Sequence, residues 1–216
     1  MVAVRSPLLR ACAFGLLVLS ASLVALSATA APASAGLGVA CPDPTSQAFL
    51  RWGDVAHYSY VPNGGFESGT GGWAMSGGAK VVAGNESFFA HGSGERYSLS
   101  LPAGSSATSP PICISLFSSK MRFFAANAGS SSSRLKVQVI YNGGTSGLLS
   151  LATSILGVSD FGYVSASAGW QPSAAIGMLS GTLPLLTQSV QFRFTPADRN
   201  GSWLIDDVYL DPLMHG

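Results

Sequence analysis

The sequence predicts an all-β fold, an antiparallel two-sheet β-sandwich, on three observations. Short β-rich runs recur between clusters of Gly, Ser, Pro and Asn. Three of them alternate with period two: 97–101, 135–139 and 190–194 each set apolar residues on one face and polar or charged ones on the other. No stretch sustains a 3.6-residue period, so large helices are not expected.

Residues 1–35 read as a signal peptide. Arg5 and Arg10 give a positive start, residues 11–30 form an apolar or small-residue run, and Ala33-Ser34-Ala35 offers a small-x-small cleavage site before Gly36. The competing reading is a retained membrane anchor, since about 20 uncharged residues can reach across a bilayer. Ser, Thr and Pro dilute that run, and a cleavage site follows it. The expected location is therefore secreted, extracellular, without membrane attachment after cleavage.

The remaining chain, about 181 residues, fits one domain with a single core. Residues 36–60 read as an N-terminal extension, with a short helix or strand near 47–52. Residues 61–213 read as the sandwich, with strands expected at 80–83, 97–101, 112–116, 120–126, 135–141, 148–152, 175–179, 189–195 and 203–210. Asn142-Gly143-Gly144 and Asp198-Arg199-Asn200-Gly201 read as tight turns.

Loss of the signal removes Arg5 and Arg10, leaving nine Lys/Arg against ten Asp/Glu. Such a balance gives no electrostatic footprint for nucleic acid or an anionic membrane. Of three cysteines, Cys12 leaves with the signal, and Cys41 and Cys113 are then the only pair in an oxidising compartment. A disulfide between them is expected. The alternative, a lipidated Cys41, is disfavoured by Gly38 three positions earlier, where a large aliphatic residue would stand.

Catalytic signatures are absent: there is no G-x-S-x-G turn and no H-E-x-x-H helix. His57, His91 and His215 are scattered, and His91-Gly92-Ser93-Gly94 reads as a loop with a polar tip. The expectation is a protein that is not an enzyme. Two acidic features stand out in a chain that is only 10% charged: Phe66-Glu67 within a Gly-rich segment, and Asp206-Asp207 inside an apolar final strand. Strict alternation would turn one of the two Asp inward, where an uncompensated carboxylate is costly. An edge-strand charge pair is the plainer reading; a hard cation held by carboxylate and backbone oxygens is the other.

Asn63-Gly64-Gly65-Phe66-Glu67-Ser68-Gly69 with Trp73, the 94–101 strand, and Trp203-Leu204-Ile205-Asp206-Asp207-Val208 together resemble the β-jelly-roll carbohydrate-binding modules of the family 4, 9 and 22 kind, which share a galactose-binding-like fold. The resemblance spans roughly residues 60–212. It implies a jelly roll with its first and last strands side by side, a structural calcium on Glu67 and Asp206 with Asp207 as the alternate carboxylate, and a polysaccharide or glycan ligand. The usual appended glycosidase is missing, and a Cys-containing extension precedes Asn63.

The function expected is thus a secreted, non-catalytic, carbohydrate-binding module. Sugar faces stack on exposed rings; Tyr141, Phe161, Tyr163 and Trp170 are the expected ligand-binding residues, whereas Trp73 and Trp203 are expected in the core. The alternatives are a structural or protein-interaction protein of the cell envelope and a two-carboxylate glycoside hydrolase that uses Glu67 or Asp160 with Asp206 or Asp207.

Overall fold

The computed structural model describes residue 41 and residues 44–114, 120–142, 159–178 and 188–211, with the backbone alone at 141–142, 159–163 and 188. The chain divides into Met1–Ala33 and Ser34–Gly216, and all the described residues belong to the second unit. The expected signal peptide lies outside them, as does the strand expected at 148–152.

Among the described residues, thirteen strands follow a one-turn 3-10 helix at Leu50–Trp52: β1 (Ser59–Tyr60), β2 (Ala74–Ser76), β3 (Lys80–Ala83), β4 (Tyr97–Pro102), β5 (Ser106–Thr108), β6 (Ile112–Ile114), β7 (Lys120–Asn127), β8 (Leu135–Asn142), β9 (Ser159–Val164), β10 (Gln171–Pro172), β11 (Ile176–Gly177), β12 (Gln188–Pro196) and β13 (Ser202–Asp211). The first sheet runs β10-β7-β13-β4-β3, with β1 added on β13 and β11 on β7. The second runs β2-β5-β12-β8-β9, with β6 added on β12. Every pairing is antiparallel.

The alternation read in the sequence sets what faces what. Leu135, Val137 and Val139 of β8 and Val190, Phe192 and Phe194 of β12 point into the space between the sheets. Leu99, Leu101, Phe123, Trp203 and Ile205 meet them from the first sheet. Phe123 and Phe194 cross the layer edge to face at 5.0 Å, a geometry that adds about 1 kcal/mol beyond area burial. Trp73 and Trp203 are both core residues, as expected. The 198–201 turn closes by Gly201 N–H donating to the Asp198 carbonyl at 3.0 Å. It joins strands of different sheets rather than a hairpin pair.

A second apolar cluster lies on the outer face of the first sheet. Phe124 of β7 and Tyr209 of β13 would meet water there, but the N-terminal extension covers them with Ala48, Phe49, Ala56 and Tyr58. Phe49 stacks on Phe124 at 5.3 Å and meets Tyr209 edge-on at 5.7 Å. The 3-10 helix that carries this segment ends at Gly53, whose φ of 81° is a left-handed conformation open to glycine at little cost. Arg122 of β7 fastens the extension: its guanidinium donates to Asp54 and to the Tyr58 hydroxyl, both at 3.1 Å, and lies 3.9 Å from the Phe49 ring centroid. Cys41 is bridged to Cys113 of β6, so the same extension is tied covalently to the second sheet.

Closing a 72-residue span should stabilise the fold by about 4 kcal/mol in the chain-entropy description. Denaturant unfolding of the reduced protein should show a loss of that order, and unreduced mass spectrometry should find the native chain two hydrogens lighter. Phe49→Ala, which empties the centre of the outer cluster, should cost about 3–5 kcal/mol in the same assay.

Candidate functional site

Strand β13 pairs with β7 through Asp206↔Phe124, then resumes at Tyr209↔Arg122, so one extra residue is inserted between. Asp207 occupies that place with φ 47°, a left-handed conformation that Asp adopts more readily than most residues. The bulge lets Ile205 and Val208 both enter the core while the two intervening carboxylates leave it. Here the expectation from alternation is corrected. Neither Asp points between the sheets; both lie on the outer side, fully buried beneath residues 86–95.

Four acids gather there: Glu86, Glu95, Asp206 and Asp207, all buried. Backbone N–H groups satisfy most of their oxygens. Asp206 accepts from Glu86 at 2.9 Å and from Asp207 at 3.0 Å. Glu86 accepts from Phe88 and Ala90, each at 2.5 Å, which curls the loop around its carboxylate. Asp207 accepts from His91 N–H at 3.1 Å and from the Tyr60 hydroxyl at 3.1 Å. Glu95 accepts from Gly92 N–H at 3.0 Å and meets His91 Nδ1 at 2.5 Å. Tyr60 lies flat on the His91 ring, 3.7 Å between centroids.

Among the described residues no Lys or Arg pairs with any of these four acids. The electrostatic consequence is large. Desolvation, and then the Asp207 charge beside it, push the Asp206 carboxyl up to about 9. Desolvation, with Glu95 and Glu86 adding to it, pushes Asp207 up to about 7. Burial raises Glu86 and the Tyr60 and Tyr209 hydroxyls as well.

Three side chains of this cluster form a candidate metal-binding group. Ligand atoms of His91, Glu95 and Asp207 all lie within 4.8 Å of one another. The chain passes them as Gly65, where a Cβ would collide with the Tyr60 hydroxyl and come within 2.9 Å of Asp207 Oδ1 and 3.1 Å of Glu95 Oε1. Three oxygens thus converge on a position that only glycine leaves open. Two carboxylates and an imidazole, with no thiol, make up this group, with the Tyr60 hydroxyl donating to Asp207 beside them.

Of the ligands read from the sequence, Asp207 lies in this group and Asp206 lies beside it with both oxygens bonded to backbone. Glu67 is exposed, and its Oε1 accepts from Arg96 and Tyr97 N–H at 2.7 and 2.8 Å, fixing the entry to β4. Tyr60, His91 and Glu95 were not foreseen. The sequence marks residues 91–94 as a loop, but it does not show that the His91 and Glu95 side chains would turn to Asp207. Of the ring residues, Tyr141 lies in β8, paired with Val190, and Phe161 and Tyr163 lie in β9 opposite Gln138 and Lys136; their side chains fall outside the described residues. Trp170 is half-buried and packs on the outer cluster.

No family model matches this chain, and neither does any curated protein. Similar solved structures do exist. TmCBM61 in complex with β-1,4-galactotriose is 21% identical, covers 70% of this chain and 96% of its own, and has a TM-score of 0.42. The CBM22-1 xylan-binding domain from Paenibacillus barcinonensis Xyn10C is 16% identical over 73% of this chain and 99% of its own, with a TM-score of 0.42. The CBM22-1 and GH10 modules of Clostridium thermocellum xylanase 10B, complexed with xylohexaose, are 16% identical over 74% of this chain and 29% of theirs, with a TM-score of 0.44. The two-sheet architecture itself rests on the strand pairings of this chain.

The raised carboxyls fix the sign of a pH effect. Asp206 and Asp207 keep protons in the folded chain that the unfolded chain releases above its ordinary value of 3.8. Stability conferred by these protons is fullest below that value and is lost as pH rises toward about 7 and about 9. With chelator present, the thermal midpoint should therefore fall by several degrees between about pH 5 and pH 9. Calorimetric scans across that range check it, and the Asp206→Asn, Asp207→Asn double variant should show a flatter profile.

Proposed function

We propose that this chain is a secreted, non-catalytic carbohydrate-binding module for a polysaccharide, with a structural calcium ion beside the last strand. The observation that carries the reading is the junction of the two motif segments. Val61 N–H donates to the Val208 carbonyl at 2.9 Å and Val208 N–H to the Gly64 carbonyl at 3.3 Å. The Gly-Gly-Phe-Glu segment is thereby stitched to the Ile-Asp-Asp-Val strand, side by side as the resemblance implies. Phe66 and Trp73, the rings of the first motif, lie 5.0 Å apart in a tilted pair in the core and so belong to the scaffold. Sugar contact falls to rings on other surfaces, with Tyr141, Phe161, Tyr163 and Trp170 as the proposed set.

Asp207 and Glu95, with His91 beside them, would hold the calcium. Its role is charge neutralisation: a divalent ion among buried carboxylates removes the repulsion that raises their proton affinity. Glu67 braces the neighbouring strand entry, and Asp206 orders the 86–90 turn through its bond to Glu86 N–H.

A polysaccharide-array screen tests the binding reading, and β-1,4-galactan and xylan belong in its first panel. Replacing Phe161 or Tyr163 by Ala should lower affinity for the polymer retained while leaving the thermal midpoint unchanged. Retention of no polysaccharide would refute the reading. Calcium at a hundred times its dissociation constant should add about 2.7 kcal/mol of stability, and chelation should remove it. Identical melting curves with calcium and with chelator would refute the metal.

A further inference from the structure

The N-terminal extension leaves rings exposed on the outer face of the first sheet. Trp52, at the end of the 3-10 helix, is 38% exposed and Leu50 51%. The indole is not loose. It is set against Phe49 at 6.1 Å, Phe124 at 5.4 Å and, edge-on, Phe88 at 4.9 Å. Phe88 is itself held by the loop that wraps buried Glu86, since its N–H donates to Glu86 Oε2. Trp170 rests on the same buried cluster. A flat ring already fixed in place loses little freedom when a ligand stacks on it, so stacking there retains most of its gross energy.

The exposed charge at this patch is positive, with the buried Glu86 carboxylate close enough to act on it. Arg51 lies next to Trp52, with its Cζ 5.5 Å from the Phe88 centroid. It is exposed and makes no ion pair among the described residues. The nearby acids are withdrawn from the surface: Asp54 is paired with Arg122 at 3.1 Å, and Glu86 is buried around its own loop. A guanidinium is a planar fork that fits a carboxylate through two parallel hydrogen bonds. Beside it, an indole offers the apolar face on which a pyranose C–H face stacks. A sugar ring bearing a carboxylate carries both features.

We propose that Arg51, Trp52 and Phe88 form a binding site for a uronate residue of an acidic polysaccharide, with Trp52 taking the ring face and Arg51 the carboxylate. The proposal rests on the sugar-binding reading above and adds to it a ligand class and a place, on the extension and on the sheet opposite β9.

The test uses the mature chain with an oligogalacturonate as the acidic probe and a β-1,4-galacto-oligosaccharide as the neutral one, followed by calorimetric titration and tryptophan fluorescence. The acidic probe should bind about tenfold more tightly than the neutral one, with the difference shrinking as salt rises. Arg51→Gln, on an exposed side chain whose cation–π contact with Phe88 is weak at such a site, should lower the thermal midpoint only slightly and abolish that preference. Trp52→Phe should weaken binding of the acidic probe and remove its fluorescence response. The site is overturned if both probes bind equally to the native protein, or if Arg51→Gln and Trp52→Phe bind the acidic probe as the native protein does. Loss of binding only in the Phe161 and Tyr163 variants would overturn this site and leave the sugar reading standing. No binding of either probe, and no polymer retained on the array, would overturn both.

Discussion

The β-bulge at Asp206–Asp207 is the constraint on which the outer half of this molecule depends. β13 is the central strand of the first sheet, hydrogen-bonded to β7 on one side and to β4 and β1 on the other. A regular strand would have to send one of two adjacent carboxylates into a layer filled by Phe, Val and Leu, where nothing can donate to it. The extra residue at φ 47° removes that conflict, because Ile205 and Val208 both reach the core. It also creates a demand. Two carboxylates now lie side by side on the outer face, and something must supply hydrogen bonds to them.

Residues 86–95 meet that demand, and they are shaped by meeting it. Their backbone N–H groups point inward to Asp206, Asp207, Glu86 and Glu95, so the loop and the acids order each other. The arrangement satisfies hydrogen bonding but leaves the acids desolvated and close to one another, which is why the Asp206 and Asp207 carboxyls hold protons far above the ordinary range. A divalent cation is the other way to settle the same imbalance. Gly65 leaves room for it where any side chain would strike the Tyr60 hydroxyl.

The extension belongs to the same logic. The outer face of the first sheet carries Phe124 and Tyr209, and an uncovered aromatic face of a sheet invites association. Phe49 and Tyr58 close it, Arg122 fastens it, and the Cys41–Cys113 bridge carries the segment to the opposite sheet. Covering the face with a short helix places Arg51 and Trp52 outward as its counterpart. Structural closure and a surface for ligands therefore come from one segment.

By itself, the sequence determined the fold class, most of the strands, the core positions of Trp73 and Trp203, the disulfide and the proximity of the two motif segments. These follow from period-two alternation and from pairs that are unique in the chain, which are properties local enough to read along one line. The short strands β1, β2, β5 and β10 lack such a pattern, since two or three residues cannot show a period, and the six-residue β9, whose alternation is interrupted by Gly162, was missed as well. The acidic site was half legible: Asp207 was visible as an anomaly in an apolar strand, whereas Tyr60, His91 and Glu95 were not. They come from separate parts of the chain and meet only because a bulge turns the Asp pair outward and a loop closes on it. Trp170 and Trp52 show the same limit. Whether a ring is covered or exposed is decided by what packs beside it, and only the tertiary structure brings the extension to that face.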